Sequence, residues 1–281
     1  MAIFTNQATL IYNGQSTNSN VTTGELVDAL TITKTALDAT YGANGRITYT
    51  VNAVNTGAAI TGATLTDNLG EYTPATTPVV PLDYVDGSLR LFVNGIEVPS
   101  PAVTAGPPLT VTGIDIPAGG TLLVIYEATA NGFAPLAPGS VITNTAEMQA
   151  GGLTVADSAT VTVGDSVSLT IAKAICPPTV TDNGTLTYTF IIQNTGNSEV
   201  VATDDVIVTD TFNPILNPIA VTYNGTEWTE GTEYTYNETT GEFATVAGNI
   251  TVPAATYTQD PVTGQVTQSP GVAVITVTGT V

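Results

Sequence analysis

Short runs of alternating apolar and polar residues recur along most of the chain. In one of them Ile47, Tyr49 and Val51 alternate with Thr48 and Thr50. A period of two places alternate side chains on opposite faces of a β-strand. Asn-Gly, Asn-Thr-Gly and Pro-Ala-Gly-Gly segments separate the runs, and such segments are typical of tight turns. No segment has the spacing of an amphipathic helix, so the pattern predicts an all-β chain.

The alternating pattern is duplicated. The matching segments are Leu30-Thr31-Ile32-Thr33-Lys34 with Leu169-Thr170-Ile171-Ala172-Lys173, Asn55-Thr56-Gly57 with Asn194-Thr195-Gly196, and Leu65-Thr66-Asp67 with Val208-Thr209-Asp210. A period of about 140 residues is the size of a domain and far exceeds a solenoid repeat. We therefore predict two tandem Ig-like β-sandwich domains, residues 26–164 and residues 165–281.

The opening of the chain is similar to the close of the first repeat. Residues 3–10 (IFTNQATL) resemble residues 141–148 (VITNTAEM). The first repeat has a strand pattern at residues 121–130 and two closing strands after it. The second repeat reaches the counterpart of residues 121–130, and we expect it to lack the two closing strands. The sequence thus predicts that residues 1–25 form a donor β-hairpin that completes the second repeat of another molecule.

Strand addition of this kind would protect two structures that are poorly stable alone. A sandwich without its closing strands exposes apolar core and unpaired backbone, and an isolated hairpin is marginally stable in water. Head-to-tail insertion makes a homopolymeric filament unless the contact closes a ring. The short tether at residues 25–29, similar in length to residues 164–168, favours insertion into a second molecule. A folded-back monomer and a loose arm are the alternatives.

Charge and composition exclude several partners. The chain of 281 residues has 24 acidic residues, four basic ones and a formal charge of −20, so its surface repels nucleic acid and anionic membranes. No apolar run reaches 18 residues, which predicts no membrane-spanning segment. We also find no secretion signal and no C-terminal sorting tail. We therefore expect a mature fragment, a trimmed chain or a protein released by another route.

Residue counts also restrict the chemistry. The absence of His and the single Cys exclude His- and Cys-based metal sites and His-based triads. We expect Cys176 to be a small buried or half-buried residue, with a bond between molecules as the alternative. The acidic pair Asp204-Asp205 could hold calcium, which prefers several oxygen ligands, but the pair lies outside any loop with recognisable calcium-binding spacing. No cofactor and no metal are expected.

Each repeat directs the same three polar side chains toward its core. By strand parity Lys34, Asp67 and Asn144 each share a face with apolar neighbours. In the second repeat Lys173 and Asp210 do the same. The third member there is Asn6, provided that residues 1–25 complete the second repeat.

A buried lysine beside a buried carboxyl and an asparagine permits two outcomes. One is an ion pair with an Asn hydrogen bond, because an unpaired buried charge costs several kcal/mol. The other is an intramolecular isopeptide bond. Burial favours the neutral amine and the protonated acid, so the amine can attack the Asn carbonyl while the acid transfers protons. Lysines that extend to the surface are a third possibility.

We predict an isopeptide bond from Lys34 to Asn144, promoted by Asp67. We predict a second from Lys173 to Asn6 of a neighbouring molecule, promoted by Asp210. The second bond would link the filament covalently.

The two repeats resemble the conserved-repeat family of prokaryotic surface proteins, long catalogued as a domain of unknown function (number eleven). The resemblance is carried by Lys34, Ile47-Thr48-Tyr49-Thr50-Val51, Asn55-Thr56-Gly57, Thr66-Asp67-Asn68-Leu69, Ile142-Thr143-Asn144-Thr145-Ala146, Asn194-Thr195-Gly196 and Val208-Thr209-Asp210-Thr211-Phe212. It implies Ig-like sandwiches in surface, matrix or appendage proteins of Gram-positive bacteria and others. The Lys, Asp and Asn placement is similar to that of isopeptide-bonded adhesin and pilin domains. Usual members carry secretion signals and often wall anchors, so a leaderless member on a spore surface fits this sequence.

Three functions compete on the sequence alone. A structural subunit of an extracellular or spore-surface or cell-surface filament accounts for the displaced hairpin. A monomeric surface adhesin module would bind a glycan or protein through Tyr223, Trp228, Tyr234 and Tyr236, unless these aromatics form cross-strand pairs. An enzyme is not expected, because the chain has no His, no nucleophile elbow and no phosphate loop.

Overall fold

The fold is described from a computed structural model, which covers residues 2–26, 29–99 and 101–281. The described residues are all-β, as predicted, and their one helical element is a single 3₁₀ turn at Ala202–Asp204. Among them, no helix has the length and apolar character needed to cross a membrane. Three parts follow one another along the chain: an arm (residues 2–26), domain 1 (residues 29–164) and domain 2 (residues 165–281).

The arm is a two-stranded ribbon. It contains β1 (Ala2–Asn6), β2 (Thr9–Tyr12), β3 (Gln15–Asn18) and β4 (Thr22–Leu26). β1 pairs with β4 and β2 pairs with β3, and neither pair joins any other described strand. Asn13 and Gly14 have φ values of 47° and 77°, which is the type I′ geometry that suits a two-residue hairpin turn. The predicted tether, residues 25–29, includes Val27 and Asp28, which lie outside the described residues.

Domain 1 is a sandwich of two six-stranded sheets. Its strands are β5 (Leu30–Ala36), β6 (Thr40–Tyr41), β7 (Arg46–Asn55), β8 (Ile60–Asp67), β9 (Leu82–Tyr84), β10 (Arg90–Val93), β11 (Ile96–Val98), β12 (Ala102–Thr104), β13 (Leu109–Ile116), β14 (Thr121–Ala130), β15 (Val141–Ala150) and β16 (Leu153–Val163). One sheet has the order β11-β10-β14-β7-β5, with β9 also on β14; the other has the order β12-β13-β8-β15-β16-β6. Alternate residues of the long strands are buried, so one core lies between the sheets.

Domain 2 repeats much of this plan. Its strands are β17 (Leu169–Cys176), β18 (Thr185–Asn194), β19 (Thr209–Thr211), β20 (Ile219–Tyr223), β21 (Thr226–Trp228), β22 (Tyr234–Tyr236), β23 (Glu242–Thr245), β24 (Thr256–Gln259), β25 (Val266–Ser269) and β26 (Gly271–Thr280). The order β17-β18-β26-β20-β21 matches β5-β7-β14-β10-β11 in domain 1. The second sheet, β19-β23-β22, matches β8-β13-β12. β24 and β25 form a separate hairpin.

The second sheets of the two domains differ at one edge. In domain 1, β8 pairs with β13 on one side and with β15 on the other. In domain 2, β19 pairs with β23, and no other strand among the described residues pairs with it. Domain 2 therefore presents an open sheet edge where β15 and β16 complete domain 1.

Cys176 is exposed, so the expectation that it is buried or half-buried is wrong. It follows Ile175 in β17, and strand parity turns it away from the core face. The corresponding residue of domain 1, Leu37, is also exposed, at 64%. The exposure of Cys176 thus follows from its place in the repeat.

Candidate cross-linking sites and the open sheet edge

The structure brings Lys34, Asp67 and Asn144 together in the core of domain 1. They lie on β5, β8 and β15, and their exposed fractions are 4%, 2% and 0%. Lys34 Nζ donates a hydrogen bond to Asp67 Oδ2 and forms an ion pair with it. The alternation read from the sequence therefore placed all three side chains on the correct face.

A tyrosine that the sequence analysis did not single out joins the three groups. The Tyr126 hydroxyl accepts from Lys34 Nζ at 3.0 Å and donates to Asp67 Oδ2 at 2.5 Å. It also accepts from Asn144 Nδ2 at 3.1 Å. Tyr126 shares the buried face of β14 with Leu122 and Val124, and this alternation in the sequence could have shown that its side chain points into the core. Its contact with the other three depends on the pairing of β14 with β7, which parity alone does not give.

The backbone orients the Asn144 amide and the Asp67 carboxyl. The Gly70 N–H donates to Asn144 Oδ1 at 3.1 Å, and the Leu69 N–H donates to Asp67 Oδ1 at 3.0 Å. Gly70 has a φ of 75°, and a Cβ there would lie 2.6 Å from Ile142 Cγ2. A glycine is therefore required at this turn. Its N–H polarises the Asn144 carbonyl in the same way that a backbone donor polarises a carbonyl under nucleophilic attack.

Burial controls the charge state of this site. Desolvation lowers the pKa of Lys34, and the negative charges of Asp67 and Asp157 oppose that shift. Burial, together with the nearby Asp67, raises the pKa of Tyr126 well above its usual value, so its hydroxyl keeps its proton. The Lys34 ammonium nitrogen lies 4.9 Å from the centre of the Tyr49 ring, a further favourable contact for the charged form.

The corresponding lysine of domain 2 has a more open setting. Lys173 Nζ donates to Asp210 Oδ2, and their side chains are 39% and 19% exposed. The ammonium nitrogen lies 4.3 Å from the centre of the Tyr188 ring and 5.4 Å from that of Phe212. The pair is therefore assembled in domain 2, but solvent reaches it.

Two members of the domain 1 site have no counterpart beside Lys173. Val277 lies opposite Tyr188 on β26, as Tyr126 lies opposite Tyr49 on β14, and valine has no hydroxyl. The predicted third member, Asn6, lies exposed on the arm, whose strands pair only with each other among the described residues. Within one chain the structure brings Lys173 and Asp210 together and leaves Asn6 outside.

An apolar face lies beside this open site. In domain 1 the inward residues of β5 are buried or half-buried, because β16 packs on them. In domain 2 all eight residues of β17 are exposed, including Leu169, Ile171 and Ile175. A groove lies between β17 and the segment that leads into β19, lined by Leu169, Thr170, Ile171, Ile192, Val206, Ile207 and Val208. We call the groove and the free edge of β19 together the acceptor groove.

The acidic pair Asp204-Asp205, considered as a calcium site, includes a side chain with a structural role. Asp204 Oδ2 accepts from the Val201 N–H at 2.8 Å and so caps its own 3₁₀ turn. The described residues contain no group of three or more Asp, Glu, Cys or His side chains that could hold a metal ion.

The four aromatics considered for ligand binding are packed against the sheets. Tyr223 and Trp228 stack with ring centres 5.0 Å apart, Tyr234 is buried, and Tyr236 is half-buried. They form the packing contacts that were the alternative to a ligand-binding surface.

Comparisons with known proteins give distant similarity only. No protein-family model matches the chain, and no curated protein sequence matches it. Among solved structures, the major pilin subunit BcpA of Bacillus cereus is similar at 15% identity and a TM-score of 0.36, over 96% of this chain and 73% of that one. The major pilin SpaD of Corynebacterium diphtheriae is similar at 13% identity and a TM-score of 0.37, over 85% and 58%.

A third similar structure covers about one domain. The collagen binding subdomain ACE19 of the Enterococcus faecalis surface protein ACE matches at 11% identity and a TM-score of 0.32, over 50% of this chain and 99% of that one. Similarity at this level does not establish a family or a function. The functional argument therefore depends on the geometry of the chain itself.

The different burial of the two ion pairs predicts unequal effects of mutation. In protein whose Lys34 and Asn144 are not covalently joined, Asp67→Ala leaves the Lys34 ammonium buried and unpaired, so we expect it to destabilise domain 1 by about 3–5 kcal/mol. Asp210→Ala leaves a solvated lysine, so we expect at most about 1 kcal/mol in domain 2. Urea unfolding followed by domain-resolved hydrogen exchange measures both. The double variant Lys34→Met/Asp67→Leu, which removes both charges, is expected to recover most of the loss. Equal losses for the two single variants would contradict the assignment.

Proposed function

We propose that the protein is a structural subunit of an extracellular filament on a cell or spore surface. Subunits join head to tail when the arm of one copy inserts into the acceptor groove of the next by donor-strand complementation. Isopeptide bonds then stabilise domain 1 and link adjacent subunits. The role is structural, and the chemistry occurs once per site.

One observation carries this proposal: the arm has the form of the hairpin that completes domain 1. β15 and β16 pair through Ala150 with Leu153 around a Gly-Gly turn in which both residues have positive φ. β2 and β3 pair through Tyr12 with Gln15 around an Asn-Gly turn of the same type. The sequence similarity of residues 3–10 to residues 141–148 has the same offset as the two turns. The outer pairing differs by one residue, since Asn6 lies opposite Thr22 whereas Asn144 lies opposite Ala159. The chain thus contains a hairpin that resembles the closing hairpin and one domain whose matching edge is open.

Geometry favours insertion into another molecule. β5 begins at the end of domain 1 where the Thr56 N–H donates to Ala29 O at 2.8 Å. β16 ends at the opposite end, where the Gly164 N–H donates to Tyr41 O, and domain 2 begins there. An arm in the acceptor groove therefore ends at the far end of domain 2.

An arm inserted into its own domain 2 would have to return across both domains. Each domain contains strands of ten residues, and such a strand is about 34 Å long. The four residue steps from Leu26 to Leu30 extend at most about 14 Å. The first strand of the next copy's domain 1, in contrast, begins directly beyond that end. The tether therefore suits a junction between copies and is too short for insertion within one chain.

The pairing in domain 1 gives the register of the inserted arm. Ala146 lies opposite Asp67 and Met148 lies opposite Leu65. The corresponding pairs between copies are Ala8 with Asp210 and Leu10 with Val208. This register brings Asn6 to the place that Asn144 holds beside Lys34.

Burial supplies the driving force for insertion. Phe4, Leu10 and Tyr12 share one face of the arm and are at least half exposed in the single chain. Full burial of a large apolar side chain contributes about 1.5–3 kcal/mol. The same insertion covers Leu169 and Ile171 and pairs the free edge of β19, so both partners gain.

The site in domain 1 has the groups that an isopeptide reaction needs. The Lys34 ammonium gives a proton to Asp67, and its neutral amine attacks the Asn144 carbonyl carbon, which the Gly70 N–H polarises. The new C–N bond forms as the bond to Nδ2 breaks. Asp67 passes this proton through the Tyr126 hydroxyl, which touches Nδ2, and ammonia leaves, while the attacking nitrogen gives its second proton to the Asp67 carboxylate. Atoms and charge balance, because one ammonium, one carboxylate and one primary amide become one secondary amide, one ammonia and one carboxylic acid.

The register predicts a specific disulfide between copies. Thr9 and Thr209 would lie opposite each other with Cα atoms about 5.5 Å apart, within disulfide reach. A mixture of Thr9→Cys and Thr209→Cys single variants, both carrying Cys176→Ser, should give a mixed disulfide under mild oxidation. Mass spectrometry of the linked peptides detects it. Because each chain carries one of the two thiols, this bond forms only between molecules.

A shifted pair controls for non-specific oxidation. Thr9→Cys with Thr211→Cys is a diagonal pair about 7–8 Å apart and should link far less efficiently. Deletion of residues 1–24 should abolish filaments seen by negative-stain microscopy. Equal linking of the two pairs, or filaments that persist after the deletion, would overturn the proposal.

Peptide mapping tests the covalent chemistry. We expect a Lys34 peptide joined to an Asn144 peptide with loss of one ammonia, and a Lys173 peptide joined to an Asn6 peptide in filaments only. Asp67→Ala should slow the first bond by about 10²–10⁴-fold, since it removes the proton-transfer group. Tyr126→Phe should also slow formation of the Lys34–Asn144 bond. Tyr84→Phe is the matched control, because it removes a neighbouring hydroxyl that touches neither Lys34 nor Asp67. Intact Lys34 and Asn144 peptides in the folded wild-type protein would refute the bond.

A further inference from the structure

The junction between domains 1 and 2 is held by two sets of contacts that have no counterpart among the described residues at the start of domain 1. The first is a pair of hydrogen bonds between the Asn197 side chain and the linker that joins the domains. Asn197 Nδ2 donates to Gly164 O at 3.0 Å, and Asn197 Oδ1 accepts from the Ser166 N–H at 2.7 Å. One side chain of domain 2 thus binds the linker backbone on both sides of Asp165.

The loop that carries Asn197 has a close counterpart in domain 1. Asn194 and Asn55 hold the two loops alike, because each accepts from the N–H of the glycine two residues later, at 2.9 and 3.0 Å. In this alignment Ala58 corresponds to Asn197. An alanine methyl group makes no hydrogen bond, so Ala58 cannot bind the tether of domain 1 in the way that Asn197 binds the linker.

The second set of contacts is made by the β24–β25 hairpin, which extends from domain 2 to domain 1. The Val266 N–H donates to Gly132 O at 2.9 Å, and Gln259 Nε2 donates to the Tyr72 hydroxyl at 2.5 Å. Gly264 packs against Val79, since a Cβ on Gly264 would lie 2.5 Å from Val79 Cγ1. The hairpin therefore holds the end of domain 1 by hydrogen bonds and by packing.

Domain 1 has only a tight turn where domain 2 has this hairpin. Asn55 Nδ2 donates to Pro117 O, and Asn194 Nδ2 donates to Pro253 O, so these two prolines correspond. Residues 254–270 then occupy, in domain 2, the place of residues 118–119 in domain 1. The turn in domain 1 is too short to reach a preceding domain.

We propose that the subunit boundary is the flexible contact of the filament and that each subunit is a rigid two-domain rod. The inference rests on the proposed head-to-tail assembly, in which domain 2 of one copy precedes domain 1 of the next. That boundary repeats the strand path of the internal junction and has neither the Asn197 contacts nor the hairpin. Bending between copies is then limited mainly by the tether and the inserted arm.

Single-particle electron microscopy of full-length filaments tests this inference. The angle between consecutive domains is measured separately for internal junctions and for subunit boundaries. We expect a distribution several-fold broader at the boundaries. Equal distributions would overturn the inference while leaving the filament proposal intact, whereas a failure of the full-length protein to polymerise would overturn both.

Two variants supply matched controls. Asn197→Ala/Gln259→Ala removes contacts from the internal junction and should broaden its angles only. Ala58→Asn introduces the missing side chain at the boundary and should narrow the angles there. Because Asn197, Gln259 and Ala58 lie outside the acceptor groove, filament yield should stay unchanged. If neither variant changes the angles, the roles assigned to Asn197, Gln259 and Ala58 in holding the junctions are wrong.

Discussion

The contact between the closing hairpin and the first strand of a sandwich determines whether the inward face of that strand is buried or exposed. In domain 1, β16 packs on β5 and β15 pairs with β8, so Leu30 and Lys34 are buried. In domain 2, β17 and β19 have no such cover among the described residues, and the same face is exposed. A sandwich needs this cover because uncovered apolar faces and unpaired edges favour association. The rest of the proposed assembly follows from where the cover for domain 2 comes from.

The same polar groups behave differently in the two domains because burial differs. Lys34 and Lys173 both contact an aspartate, but water reaches only the second pair. A buried ion pair that lacks good partners is costly, and in domain 1 Tyr126 and Asn144 supply the missing hydrogen bonds. In domain 2 the corresponding asparagine would arrive with the arm. Assembly and the completion of the polar site are thus the same event in this scheme.

Much of this arrangement could be predicted from the sequence, because a strand period of two decides which side chains point inward. Parity placed Lys34, Asp67 and Asn144 correctly without any knowledge of pairing. Parity could not show that Tyr126 meets them, because that contact depends on the register between strands. The β24–β25 hairpin was missed because it has no counterpart in the first repeat. The expectation for Cys176 failed because composition does not show which face of a strand a residue occupies, and the strand period of two places Cys176 on the outward face.

The net charge of −20 opposes non-specific pairing at the open edge of domain 2. An exposed strand edge would ordinarily pair with any similar edge, but strongly acidic surfaces repel one another at close approach. An arm of residues 2–26 contains a single acidic residue, Glu25, and no basic one, so it can approach the acceptor groove with little of this repulsion. In the proposed assembly, side-by-side association of whole subunits brings more like charge together than end-to-end association through the arm does. The distribution of charge along the chain therefore favours a thin linear assembly over a lateral aggregate.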